Sequence, residues 1–123
     1  AQKIVTGNFP AETVSTEDKF MAKVLDYIHS NLDNTELSID KFSDDIGMSR
    51  VQLYRKIKAV TGSSPSKLIL DIRLKKAAEL LSTTDDTVTE VSYKCGFNEV
   101  SYFGKCFKAN YNVSPSEYAR NYR

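Results

Sequence analysis

Apolar residues recur along this chain at the three- and four-residue spacing of helices, and almost nowhere at the two-residue spacing of strands. Residues 1–15, with Gly7, Pro10 and small polar side chains, read as a linker. The S-T-E-D beginning at Ser15 then has the form of a capping box ahead of Phe20, Val24, Ile28 and Leu32, which fall on one helical face. Ser38 is placed to cap a second, short helix carrying Ile39, Phe42 and Ile46. Gly47 ends it, since glycine supplies the left-handed backbone of a tight turn out of a helix. Ser49 is placed to cap a third helix, from Arg50 to near Val60.

The same pattern is then written again. Thr87-V-T-Glu90 forms a capping box before Val88, Val91 and Cys95; Gly96 ends that helix, Asn98 is the expected next cap, and another helix runs to near Tyr111. Each copy closes on Ser-Pro, SSPS at 63–66 and VSPS at 113–116, a strong helix start. From Leu53 onward the copies align at an offset of 50, matching Leu53 to Phe103, Ile57 to Phe107 and Pro65 to Pro115. Before the glycines the offset is 49, so the second turn carries one extra residue. Between the copies, KLILDIRLKKAAELL predicts a helix over 65–82, which at 1.5 Å per residue is roughly 25 Å long. The expected fold is all-α, with seven helices: two helix-turn-helix lobes (38–62 and 87–112), a long linker helix between them, and a C-terminal helix over 115–121.

Composition narrows the functions. At 123 residues the chain fits one compact domain or two small helical lobes sharing a connection. No apolar run approaches the roughly 20 residues that cross a bilayer, and AQKIVTGNFP lacks the apolar core of a signal peptide. Cys95 and Cys106 have no partners at metal-ligand spacing and read as two buried thiols of an intracellular protein rather than a disulfide. His29, the sole histidine, reads as a surface residue. With it alone there is no Ser-His or Cys-His pair, no H-E-x-x-H and no glycine-rich phosphate loop. An enzyme is therefore not expected, nor a metal or cofactor. The carboxylate pairs Asp44–Asp45 and Asp85–Asp86 read as solvated helix ends and loops.

Net charge is only +1, from 17 basic and 16 acidic residues, but the arrangement is uneven. Residues 12–45 hold nine acids and three bases, whereas residues 46–76 hold eight bases and one acid, Asp71. Such segregation predicts one electropositive surface. On a helical wheel, Leu53, Ile57 and Val60 mark the inner side of the third helix, and Val51, Tyr54, Arg55 and Lys58 fall within an arc of about 100° opposite. Fifty residues on, Phe103, Cys106, Phe107 and Asn110 mark the inner side, while Ser101, Gly104, Lys105 and Lys108 face out. Both copies thus place a base at 55/105 and at 58/108. The major groove of DNA admits one α-helix, whose outward side chains read base edges, while lysines and hydroxyls mostly meet phosphate. The rival reading is a protein-interaction module docking on RNA polymerase or a partner regulator through the same face.

These residues resemble a known family. Residues 37–123 are similar to the DNA-binding domain of AraC/XylS-type transcriptional regulators, and V-T-E-V-S-Y-K-C-G-F-N-E-V-S-Y-F-G-K-C-F-K followed by V-S-P-S-E-Y is close to that family's signature. MSRVQLYRKIKAVTG also resembles the version at the C-terminus of hybrid two-component regulators of Bacteroides-type bacteria. The resemblance implies sequence-specific binding of double-stranded DNA and regulation of transcription. It further implies a receiver or sensor module preceding the domain, RNA polymerase as a candidate partner, and a bacterial cytoplasmic setting, tethered if the sensor is in the membrane. The domain itself would not contact the membrane.

Carried over residue by residue, the base readers would be Val51, Gln52, Tyr54 and Arg55 in the first lobe. In the second they would be Asn98, Glu99, Val100, Ser101, Gly104 and Lys105. Ser38, Ser49, Arg50, Lys58, Thr87 and Lys108 are the expected phosphate contacts. Three residues depart from the family pattern: Gly104 where a small side chain is usual, Cys95 for an aliphatic residue, and Asn112 for a frequent glycine, whose left-handed backbone Asn tolerates. Outside the stripe, Arg73 is expected to pair with an acid of a neighbouring lobe. Tyr93, Tyr102, Phe103 and Phe107 are expected to pack inside, and Arg120 and Arg123 to lie in a frayed terminus.

Overall fold

The computed structural model describes residues 15–123, and every regular element in that span is an α-helix. The expected linker lies outside the described residues except for Ser15, which caps α1 (Thr16–Ser30) through the Asp18 N–H. Then come α2 (Ile39–Ile46), α3 (Arg50–Thr61), α4 (Pro65–Thr83), α5 (Val88–Lys94), α6 (Val100–Tyr111) and α7 (Pro115–Tyr122). Ser38, Ser49, Ser64, Thr87 and Ser114 each accept a hydrogen bond from an N–H of the first helical turn that follows them. Such a cap is worth about 0.5–2 kcal/mol, so the chain marks its own helix starts.

Helices α1–α3 and the first half of α4 enclose one core, made of Val24, Ile28, Leu32, Phe42, Ile46, Leu53, Ile57 and Ile69. Leu74, Ala77, Ala78 and Leu81 on the second half of α4 join Val91, Cys95, Phe97, Phe103, Phe107 and Ala119 in a second core. α4 therefore belongs to both lobes. The repeat pairs Leu53/Phe103 and Ile57/Phe107 are all 0% exposed, each worth about 1.5–3 kcal/mol of burial. The larger aromatic residues give the second lobe a stacked cluster, with Tyr118 of α7 edge-on to Phe107 at 5.3 Å. Both turns are closed by a left-handed glycine, Gly47 at φ 84 and Gly96 at φ 88, with the following N–H returning to Ser43 and Ser92 respectively. Asn112 takes φ 67 at the end of α6.

Several expectations fail, each for a local reason. Val60 is 44% exposed rather than core: it stands in the last turn of α3, beside an open cleft that Thr16, Glu17 and Phe20 of α1 line without closing. Asn110 is exposed, lying a turn beyond Phe107 beside Lys67 and Asp71 of α4. Asn98 does not cap α6: the extra residue in that turn puts Glu99 at the position matching Ser49, where it makes no side-chain cap bond. Phe103, Phe107 and Cys95 are buried as expected, but Cys106 is only half-buried, and Tyr93 and Tyr102 are 49% and 56% exposed. Tyr93 lies across α5 from Val91, and Tyr102 reaches the edge of the core at the Phe97 ring, 6.2 Å away. Among the described residues Arg73 pairs with no acid; its Nη2 donates to the Asn34 carbonyl at 3.0 Å. Arg123 is tied down, donating to the carbonyls of Leu81 at 2.7 Å and Asp86 at 2.6 Å. Asp45 and Asp86 are engaged as well, by Tyr27 and Lys41 and by Lys94.

Candidate DNA interface

The third helix is held so that its basic side cannot turn inward. Leu53 and Ile57 anchor it in the core, and Ser49 and Gln52 close a reciprocal capping box, each side chain bonding the other's N–H at 3.1 Å. That leaves Val51, Gln52, Tyr54, Arg55 and Lys58 exposed along one side, with Val51 58% and Tyr54 48% exposed. Exposing a valine and a tyrosine amid charge, while isoleucine and leucine are buried opposite, leaves a surface with apolar and cationic groups interleaved. The Gln52 carboxamide oxygen is used by the box, and its NH2 group has no partner among the described residues.

The cations of this helix are not equivalent. Among the described residues, Arg55 and Lys58 have no carboxylate partner, whereas Arg50 Nε lies 3.3 Å from Asp40 Oδ1. That pair is widely exposed, so it holds Arg50 only weakly. Lys56 sits 5.1 Å from the centre of the Phe20 ring and so serves the packing of α1 on α3. The capping hydroxyls of Ser38, Ser49 and Thr87 accept from helix N–H groups, which leaves each hydroxyl proton available to an acceptor such as a phosphate oxygen.

α6 repeats the arrangement with fewer side chains. Phe103 and Phe107 anchor it, Ser101, Lys105 and Lys108 are exposed, and Val100 and Gly104 are half-buried. Asn98 and Glu99 are exposed in the turn just before it. A Cβ at Gly104 would meet nothing within 4 Å, so the glycine leaves an open step in the stripe rather than a close backbone contact. Lys105 and Lys108 also lack carboxylate partners among the described residues.

Each lobe adds a groove that the wheel did not reveal. In the first, Ile39, Arg50, Val51, Tyr54, Arg55 and Ser64–Ser66 line a groove of about 620 Å³, so the start of α4 stands beside the stripe of α3. In the second, a groove of about 430 Å³ runs between the start of α5, at Thr87 and Val88, and α7, at Ser116 and Arg120. The duplicated Ser-Pro starts were the available signal for Ser66 and Ser116. The Ser-Pro pattern by itself predicts only helix caps.

Comparison with known proteins agrees with this geometry. A family model described as a helix-turn-helix domain matches residues 42–121. The chain is 37% identical over 108 residues to the protein named histidine kinase P4 of Formosa agariphila, covering 88% of this chain but only 8% of that protein. In structure it is similar to the C-terminal domain of AraT, a response regulator from Geobacillus stearothermophilus. There the TM-score is 0.80 and the identity 31%, over 87% of this chain and 88% of that one. It is also similar to the DNA-binding domain of AdpA, a global transcriptional factor solved in complex with a target DNA. The TM-score is 0.79 and the identity 28%, over 84% of this chain and 92% of that one. Two lobes on a shared helix, the left-handed turns and the family match over both lobes lead to one assignment: the chain belongs to the AraC-type family of helix-turn-helix DNA-binding domains.

Proposed function

We propose that this chain is a sequence-specific double-stranded DNA-binding domain that regulates transcription, with α3 and α6 lying in successive major grooves on one face of the duplex. The observation that carries the reading is the duplicated stripe: Arg55 and Lys58 on α3 and Lys105 and Lys108 on α6 are exposed at equivalent positions, without carboxylate partners among the described residues. Val51, Gln52, Tyr54 and Arg55 read bases in one groove, and Asn98, Glu99, Val100, Ser101, Gly104 and Lys105 in the other. Ser38, Ser49, Arg50, Lys58, Thr87 and Lys108 meet phosphate. The likeness to a DNA-bound domain supports this arrangement.

The chain spans about a twelfth of the length of the kinase it matches, 8%. That match and the likeness to a response regulator's C-terminal domain support a signal-receiving module elsewhere in the full protein. Contact with RNA polymerase, a cytoplasmic setting and tethering to a membrane sensor belong to the same proposal. Among the described residues no helix is long and apolar enough to cross a membrane.

Selection of duplexes from a random pool tests the reading. A single enriched sequence family is expected, bound with an affinity that falls steeply with salt as cations displace counterions from phosphate. No enrichment, or binding to RNA polymerase with little dependence on salt and none on DNA, would overturn it in favour of a protein-docking module.

A further inference from the structure

The two lobes have separate cores, and among the described residues no hydrogen bond or ion pair joins residues 15–62 directly to residues 84–123. Away from α4 itself, one junction stands out. A Cβ built at Gly96, in the second lobe's turn, would lie 2.2 Å from the Leu32 carbonyl oxygen and 2.7 Å from Cζ and Nε of Arg73. Leu32 follows α1, so the turn of the second lobe rests on the backbone of the first with the Arg73 guanidinium against it. Arg73 stands where α4 changes allegiance, between Ile69 and Ile72 in the first core and Leu74 and Ala77 in the second. Its Nη2 holds the Asn34 carbonyl at 3.0 Å, while its Nε is buried without a partner among the described residues.

A cation with an unpartnered buried N–H is a poor device for stability, since desolvation opposes it and an apolar side chain of similar size often serves as well. What a planar guanidinium adds is position: it has one flat surface for a glycine and directed donors for a carbonyl. The small cleft of about 180 Å³ beside it, lined in part by Thr35, Ser66, Phe97 and Tyr102, shows that the lobes are not otherwise packed solid here.

We propose that Arg73 and Gly96 form a clasp that fixes the angle between the lobes, and with it the spacing of the two DNA segments that one chain reads. Arg73 is then a positioning residue for specificity and touches no DNA. The inference rests on α3 and α6 being the reading helices. One base pair between the half-sites moves the second by about 3.4 Å and rotates it by roughly 35°, so a rigid chain discriminates spacing and a hinged one does not.

The test uses residues 1–123 as they stand, with Arg73→Met and Arg73→Lys, on a selected duplex and on versions with one base pair inserted or removed between the halves. The wild type should lose about tenfold or more in affinity on the altered duplexes, and Arg73→Met about threefold or less, with Arg73→Lys between them. This ratio is taken within each protein, so general loss of stability does not mimic it. In parallel, pulsed dipolar spectroscopy between spin labels at positions 26 and 117 should give a narrow distance distribution in the wild type and a broad one in the variants. An unchanged spacing penalty, or distributions equally narrow in all three proteins, overturns the clasp. If Arg73→Met fails to fold, Arg73→Lys carries both measurements. If the wild type binds no duplex specifically, the DNA reading fails, and the label distances alone decide whether the lobes are clasped.

Discussion

At the scale of single residues, the stretch RVQLYRKIK divides its labour among side chains that composition counts alike. Arg55 stands at the centre of the exposed stripe, where its fork can meet O6 and N7 of a guanine. Arg55→Ala should therefore cost about 1–3 kcal/mol of specific binding and relax preference at one base pair. Lys58, a turn further on, should meet phosphate, so Lys58→Ala should weaken all duplexes alike and lower the salt slope by about one unit. Titrating each variant against the selected duplex and a scrambled one, at several salt concentrations, separates the two effects. An Arg55→Ala protein with unchanged affinity and selectivity would make the stripe ordinary solvated surface. Residue type and helical period made this face legible in advance. They did not show that Lys56 lies against Phe20, because that contact depends on how α1 packs, and no local pattern encodes it.

At the scale of elements, the most legible features were the most local. Ser38, Ser49 and Thr87 cap as expected because a cap joins residues three apart, and Gly47 turns as expected because its φ of 84 is a property of one residue. The helix ends are less legible. Periodicity continues through the last turn of a helix whether or not a neighbour covers it, so the pattern alone puts Val60 and Asn110 inside although both are exposed. The link between α1 and α2 was not legible at all: Tyr27 stacks on Phe42 at 4.9 Å, and its hydroxyl donates to Asp45 at 2.6 Å. Hydrogen bonds from Tyr27 and then Lys41 hold the Asp45 carboxyl below the usual range. Burial first, then the Asp45 hydrogen bond, pushes Tyr27 up to about 12. The stabilisation from Asp45 is complete above the ordinary carboxylate pKa of about 4 and is lost as pH falls through its lowered folded value. That from Tyr27 is complete below its ordinary value of about 10 and is lost as pH rises toward 12. Tyr27→Phe, which keeps the stacked ring, should flatten the alkaline fall in melting temperature and shrink the acid one, leaving the Lys41 contribution. Superimposable melting profiles from pH 3 to 12 for the two proteins would mean that this bond adds nothing to the fold.

At the scale of the whole molecule, the duplicated pattern predicted two lobes on one helix, and α4 does divide its apolar side between two cores. How the lobes face each other was not legible, because the contacts that set it are made with backbone. Arg73 meets the Asn34 carbonyl and Gly96 meets the Leu32 carbonyl, and no side-chain pairing marks either in the sequence. The same holds for Arg123, which closes the second lobe on two carbonyls rather than fraying. This arrangement bears on function through one requirement: a single chain must present α3 and α6 to successive major grooves. Hydroxyl-radical footprinting of the selected duplex, with the number of chains counted by native mass spectrometry, tests that requirement most directly. One chain per duplex should protect two windows about 10 base pairs apart on one face, within a non-palindromic site of around 20 base pairs or less. A single protected window, or an inverted repeat occupied only by two chains, would contradict it.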